Sequence, residues 1–211
     1  MSPQARSSIY VIAGVNGAGK SSIAGAAFRE AGDYYNPDEV ARKLIAADPR
    51  LTLEEANSAT WHVGVQLLKR AMEEHLDFAF ETTLGANTIP RLLSQAAKLG
   101  CKLYVWYVGL ASPELHISRV RARVLQGGHS IPKELIRSRY ERSRLNLIAL
   151  MPSITALRVF DNSEQVDLAR GQEPKLRLVL HMLEGEILSP PDFKETPEWA
   201  KPIVAAALRK G

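Results

Sequence analysis

Cysteine is nearly missing from this chain. Cys101 is the one cysteine in 211 residues, which excludes an intrachain disulfide and leaves no thiolate cluster for zinc; a buried apolar role in a reducing, cytoplasmic compartment is expected. Long hydrophobic runs are missing too. The longest, Leu103 to Ala111, is about half of the roughly 20 residues needed to cross a bilayer, so no membrane span is expected. Residues 1–13 contain no basic leader followed by an apolar segment and a small-residue cleavage site, so no secretion signal is read there. A large excess of one charge is lacking as well: 27 basic against 23 acidic residues leave +4, while 45% of the residues are apolar. That balance disfavours a disordered chain. No solenoid-period repeat or low-complexity tract breaks the sequence. One domain over 1–211 is the expectation.

Charge is unevenly distributed. From Arg119 to Arg144 there are eight basic residues (Arg119, Arg121, Arg123, Lys133, Arg137, Arg139, Arg142, Arg144) against Glu134 and Glu141. A general nucleic-acid binder spreads basic charge over a broad face, whereas a single basic segment suits a clamp on one compact anion. A solvated helix face would have the same composition.

Hydrophobic periodicity alternates between strand and helix. Ser8–Ala13 is a short apolar run ending in glycine, and Lys20–Glu30 has helical character. Tyr34-Tyr35 is the presumed second strand. Asn36 can cap a following helix with Pro37 at its first position and Glu39 closing a capping box. Thr52 and Glu55 repeat that signature ahead of a helix to about His75, with Leu53, Ala56, Thr60, Val63, Leu67 and Ala71 on one stripe. Asp77–Thr83 is a strand, about Asn87–Leu99 a helix, and Lys102–Gly109 a central strand. Ser112-Pro113 starts a helix to Gln126, Gly127-Gly128 breaks it, and Pro132 opens another to about Leu150. Leu157–Phe160 supplies one more strand. Alternation of this kind implies a mainly parallel sheet with helices on both faces. Leu176–Leu188 is expected to form a hairpin turning at Glu184-Gly185, and Pro197 and Pro202 restrict the tail to short helical pieces. This C-terminal extension, about 164–211, is expected to add an edge hairpin and a docking helix to the same core.

The strongest chemical signal is Gly14-Val15-Asn16-Gly17-Ala18-Gly19-Lys20-Ser21, which satisfies GxxxxGK[ST] between a strand and a helix. Amides from Gly17 to Ser22, Ala18 included, can point at phosphate oxygens, Lys20 can bridge the terminal phosphates, and the Ser21 hydroxyl can ligate Mg2+. The loop does not separate a kinase from a hydrolytic switch. Asp38, just past the second strand, can accept a hydroxyl proton during phosphoryl transfer; an aspartate in a first helical turn is also favoured by the helix dipole alone. Glu81-Thr82-Thr83 closes a strand at the end where ligands bind in such sheets; the alternative leaves Glu81 in solvent, with Phe78 and Phe80 inward. Asp161 is a weaker metal candidate. Arg119 and Arg123 share a helix face, with Arg121 turned about 200° away. The flexible Gly127-Gly128-His129 break between two arginine-bearing helices is what a lid over nucleotide requires, Arg139 joining Arg123 on the transferred group. His129 suits a turn or lid contact. His62, His75, His116 and His181 form no constellation, and surface or satisfied core positions are expected for them.

The chain resembles the zeta toxin family of P-loop kinases. The resemblance rests on GVNGAGKSS, NPDEVAR, FETTL, SPELHISRVRARVLQGGHSIPKELIRSRYERSRLNL and VFDNS, in that order, over roughly residues 8–163. It implies a P-loop kinase three-layer sandwich with a helical lid over about 113–150. It also implies transfer of the ATP γ-phosphate to a hydroxyl, in characterised toxins that of UDP-N-acetylglucosamine; toxicity is not implied, no antitoxin-like segment is visible in the chain, and a separate antitoxin is left open as a partner. Residue by residue, the family's phosphate-binding lysine falls on Lys20, its base on Asp38, its substrate-contacting glutamate and threonine on Glu81 and Thr83, and its lid arginines on Arg123 and Arg139, with Arg119 and Arg121 close by. Gly85 departs from the serine that many relatives place after ETTL, and the long extra segments of some toxins are missing.

The leading expectation is therefore an ATP- and magnesium-dependent kinase for a small-molecule hydroxyl, a UDP-amino sugar first. The alternative is a nucleotide-hydrolysing switch without an acceptor. A nucleic-acid binder built on the arginine segment is disfavoured because no stacking motif accompanies it.

Overall fold

A computed structural model describes residues 7–20, 34–164, 176–190 and 192–209. Ser21, Ser22 and the helix expected to follow Lys20 lie outside the described residues.

The strands are β1 (Ser8–Ala13), β2 (Tyr34–Tyr35), β3 (Phe78–Thr82), β4 (Lys102–Gly109), β5 (Ala156–Asp161), β6 (Arg177–Leu183) and β7 (Glu186–Ser189), in one sheet of order β2-β3-β1-β4-β5-β6-β7. The first five pair in parallel; β6 and β7 add antiparallel to the β5 edge. Among the described residues the helices are α1 (Pro37–Ala47), α2 (Leu53–Glu73), α3 (Thr88–Lys98), α4 (Pro113–Leu125), α5 (Lys133–Leu150) and α6 (Lys201–Leu208). This is the mainly parallel α/β sandwich of P-loop kinases, with the lid helices and C-terminal hairpin read from the sequence.

Local chemistry sets the ends. Asn36 Oδ1 accepts from the amides of Asp38 and Glu39 and starts α1 behind Pro37. The capping box at α1 is not formed, because Glu39 turns instead toward Lys43, 4.0 Å away one helical turn on. At α2 the box is complete, Thr52 and Glu55 each satisfying the other's backbone. Ser112 caps α4 and Pro132 precedes α5. Glu184 and Gly185, both at positive φ, close the β6–β7 turn.

One face of the sheet carries Ile9, Val11, Leu103, Val105, Leu157 and Val159, all nearly inaccessible, against α2, α3, α5 and α6. Each such side chain contributes about 1.5–3 kcal/mol by leaving water. On α2 the buried stripe differs from the expectation: Val65, Leu68 and Met72 are buried and Val63 is 48% exposed. Tyr35 packs against the helix there. Its ring lies where a Cβ on Gly64 would be, 2.8 Å from Cε1, so Gly64 faces the sheet and Val63 is turned off it. Cys101 is buried and accepts a hydrogen bond from Ser7. Trp199, Ile203, Val204 and Ala207 bury the tail against the same core, and Trp199 fills the space left by the missing side chain of Gly109.

Candidate active site

The parallel strands β1, β3, β4 and β5 end together, with Ala13 beside Thr82 and Tyr107, and Gly109 beside Asp161. The glycine loop leaves β1 at that edge. Gly14, Gly17 and Gly19 have positive φ, and a Cβ on Gly14 would lie 2.2 Å from the Val108 carbonyl oxygen, so backbone approach as well as conformation demands glycine there. A Cβ on Gly17 would lie 2.7 Å from the His116 carbonyl oxygen, and one on Gly19 2.4 Å from Asn162 Nδ2. Gly14 N–H bonds the Thr82 carbonyl at 3.2 Å, and Ala18 N–H bonds that of Val15 at 3.0 Å.

Lys20 folds back over this loop. Its Nζ donates to the Gly14 carbonyl at 2.8 Å and stands 3.3 Å from Glu81 Oε1, both side chains being buried. Glu81 is therefore not on solvent: β3 lies between β2 and β1, and the carboxylate is buried on one face of the sheet beside Lys20. Tyr34 Oη donates to its other oxygen at 2.8 Å and Asn36 Nδ2 reaches it at 3.4 Å. Burial and the adjoining carboxylate raise the Tyr34 pKa far above the usual phenol value, keeping it a proton donor. Tyr34 and Asn36 escape sequence reasoning as site residues, because what brings Tyr34 onto the face of Glu81 is its pairing with Ala79, a register that local spacing does not give.

Asp38, at the start of α1, is about one-third exposed. Arg123 Nη1 of α4 lies 4.0 Å from its Oδ2. Arg123 Nε and Nη2 are shielded from solvent and have no hydrogen-bond partner among the described residues. Its stem runs over Gly128, where a Cβ would meet Cγ at 2.8 Å. Arg139 of α5 donates from Nη1 to Asn16 Oδ1 at 2.8 Å, and Asp38 acts on it electrostatically. His129 lies in the fields of Asp38, Arg123 and Arg42; burial lowers its pKa most, partly offset by Asp38. Asp38 is thus surrounded by the lid break and by one arginine from each lid helix.

The other arginines of the basic segment are directed elsewhere. Arg119 donates to the carbonyls of Asn162 at 2.7 Å and Glu164 at 3.1 Å, and burial lowers its pKa. Arg121 is exposed beside Val124 and Leu125. Arg137 pairs with Glu114 and Glu134, Arg142 is exposed, and Arg144 pairs with Glu141 and lies over the Tyr140 ring. Thr83 accepts from the Gly85 amide through Oγ1 at 3.3 Å and from Ser143 through its carbonyl at 2.6 Å.

Two further residues frame the loop. His116, expected at the surface or as a satisfied core residue, is fully buried: Nδ1 is 2.9 Å from the Asn16 carbonyl, and Nε2 has no partner among the described residues. Burial lowers its pKa to about 4, with Lys20 and Arg119 adding to the shift and the Asn16 bond opposing it. Asn162 Nδ2 donates to the Ala18 carbonyl at 2.8 Å. Asp161 is engaged by Ser163, by Trp199 Nε1 at 3.0 Å and by Arg177 at 3.5 Å, which leaves it a turn-stabilising carboxylate.

Fold and loop together define a P-loop kinase-type protein. A family model described as zeta toxin matches residues 1–173, and the chain belongs to that family. An uncharacterized protein of Haemophilus influenzae is 28% identical over 127 residues, 60% of this chain and 88% of that one. Among solved structures, the AvrRxo1-ORF1:-ORF2 complex with ATP has a TM-score of 0.68 at 17% identity, covering 96% of this chain. This chain spans 64% of that matched chain. The PezAT chromosomal toxin-antitoxin system of Streptococcus pneumoniae has a TM-score of 0.58 at 11% identity, covering 98% of this chain and 86% of the other. Family membership supports a kinase-type function. Among the described residues no helix is long and apolar enough to cross a membrane.

Proposed function

We propose that the protein is an ATP-dependent kinase that transfers a phosphoryl group to a hydroxyl of a small molecule, a UDP-amino sugar being the first acceptor to try. The observation that carries this reading is the Asp38–Arg123 contact, with two shielded guanidinium nitrogens beside it that have no partner among the described residues. An unpaired buried donor costs about 1–3 kcal/mol, and more when charged, so such an arrangement calls for an anion. The AvrRxo1-ORF1:-ORF2 complex solved with ATP supports ATP as the nucleotide here.

The residues present fit the triphosphate: the Gly14–Gly19 loop has no room for side chains at its glycines, and Lys20 is held at its edge. ATP supplies the phosphoryl group. Lys20 exchanges Glu81 for phosphate oxygens, and Arg123 and Arg139 spread the charge of the transferred group. Asp38 takes the acceptor's proton as its oxygen bonds to phosphorus and the bond to the ADP oxygen breaks. A helix-start carboxylate is a weak base, which suffices where proton transfer comes late in a loose path. Glu81 and Thr83 orient the acceptor, and Arg119 holds the turn after β5. A Mg2+ would be held by phosphate oxygens and the Ser21 hydroxyl, and would neutralise charge on the transferred group. The PezAT toxin-antitoxin relative supports a separate antitoxin partner.

The test is incubation with γ-labelled ATP, magnesium and a metabolite extract. Label on a small molecule upholds the kinase; inorganic phosphate alone points to the switch.

A further inference from the structure

Arg139 is a desolvated cation held by a neutral partner. Burial lowers its pKa, Asp38 acts on it only through the field, and its hydrogen bond goes to the Asn16 amide oxygen in the phosphate loop. Asn16 is itself fixed. It is 6% exposed, and its carbonyl accepts a hydrogen bond from the fully buried His116. One residue of the loop therefore receives α4 on its backbone and α5 on its side chain.

The path that Arg139 takes to Asn16 depends on Gly85. A Cβ there would lie 2.5 Å from Arg139 Cγ, 3.0 Å from its Cβ and 3.3 Å from its Cδ. Gly85 does not have positive φ, so what glycine provides is clearance and not backbone freedom. The stem cannot simply move aside, because α5 grips the same loop on either side. Ser143 Oγ donates to the Thr83 carbonyl at 2.6 Å, and Asn146 Nδ2 donates to that of Leu84 at 2.7 Å and, beyond Gly85, to that of Ala86 at 3.2 Å.

We propose that Asn16 and Gly85 are positioning residues that fix the Arg139 guanidinium over the phosphate loop, so that this arginine distinguishes a terminal phosphate from its absence. Asn16 orients the fork, and Gly85 clears its stem. The proposal rests on the kinase reading in taking a nucleoside triphosphate as the ligand, and requires no knowledge of the acceptor.

The experiment is titration of the full chain with ATP and with ADP, each with magnesium, and the quantity read is the ratio of the two affinities. A global packing defect weakens both nucleotides together and leaves that ratio alone. Arg139→Ala is expected to lower it about tenfold, the loss of one charge-assisted hydrogen bond. Asn16→Ala and Gly85→Ser are expected to lower it about three- to tenfold, and neither to change it further in the Arg139→Ala background, because all act through one guanidinium. Gly85→Ala is the milder variant if the serine chain does not fold. A ratio unchanged by Asn16→Ala and by either Gly85 variant overturns the proposal. So does a ratio indifferent to Arg139→Ala, and so do effects that add to it. Failure of the kinase reading is a separate result: a wild-type ratio governed by Arg139 with no phosphoryl group passed to any metabolite sinks the kinase and leaves the positioning intact.

Discussion

Lys20 Nζ and Glu81 Oε1 face each other at 3.3 Å with side chains 7% and 9% exposed, joining the phosphate loop to β3. Removing one partner of such a pair leaves a buried charge without its counter-charge, which costs about 3–5 kcal/mol. Lys20→Met is expected to lower stability by about 3 kcal/mol in urea unfolding, on that ground. The double variant Lys20→Met/Glu81→Gln is expected to recover more than half of the loss. Equal losses in single and double variants would show that the pair carries no coupling.

His116 gives stability a pH dependence. Its ring is held neutral in the fold, with a pKa lowered to about 4 from 6.5 chiefly by burial. Between those values the unfolded chain takes up a proton that the folded chain does not, so stability is intact above pH 6.5 and falls as pH drops toward 4. The full loss is roughly 3 kcal/mol at about 1.4 kcal/mol per pH unit. His116→Asn, which keeps a donor for the Asn16 carbonyl, is expected to flatten this limb of a melting-temperature profile. An unchanged slope would assign the acid sensitivity to other groups.

Trp199 connects the tail to the end of β5. Its Nε1 donates to Asp161, whose neighbours Asn162 and Ser163 bond Ala18 and Ala111. Trp199→Phe keeps most of the ring and drops that donor. A hydrogen bond to a charged group is worth about 1.5–3 kcal/mol, and a loss of that size is expected in chemical denaturation. An effect within experimental error would reduce Trp199 to filling the space over Gly109.

The glycines separate by their surroundings. A Cβ on Gly14 meets backbone at 2.2 Å, whereas at Gly100, also at positive φ, nothing lies within 4 Å. Gly100→Ala should cost about 1 kcal/mol, the conformational part alone, and Gly14→Ala several times more. Similar melting temperatures for the two variants would contradict the close packing of the loop on β4.

Helix starts, the β6–β7 turn and the phosphate loop are legible in the sequence because their causes lie within a few residues: Asn36 with Pro37, Thr52 with Glu55, Ser112, and Glu184-Gly185. The distribution of the arginines is not. Arg119 and Arg123 share a helix face, yet one bonds carbonyls beyond β5 and the other approaches Asp38. Sheet order and the lid crossing decide this, and neither is encoded in local spacing. Tyr34–Glu81 and Arg139–Asn16 are likewise products of topology, joining residues 47 and 123 positions apart. The stripe on α2 departs from the sequence pattern at Val63 because the inward position is taken by Gly64, which has no apolar side chain to mark it.

The central claim is that Asp38 serves as the base of a phosphoryl transfer. Comparing Asp38→Asn with the wild type, for ATP affinity and for the rate at which labelled phosphate passes from ATP to a metabolite, tests it most directly. ATP binding is expected within about twofold of wild type, with a transfer rate lower by about two to four orders of magnitude, the usual contribution of a positioned base. An unchanged transfer rate would contradict it.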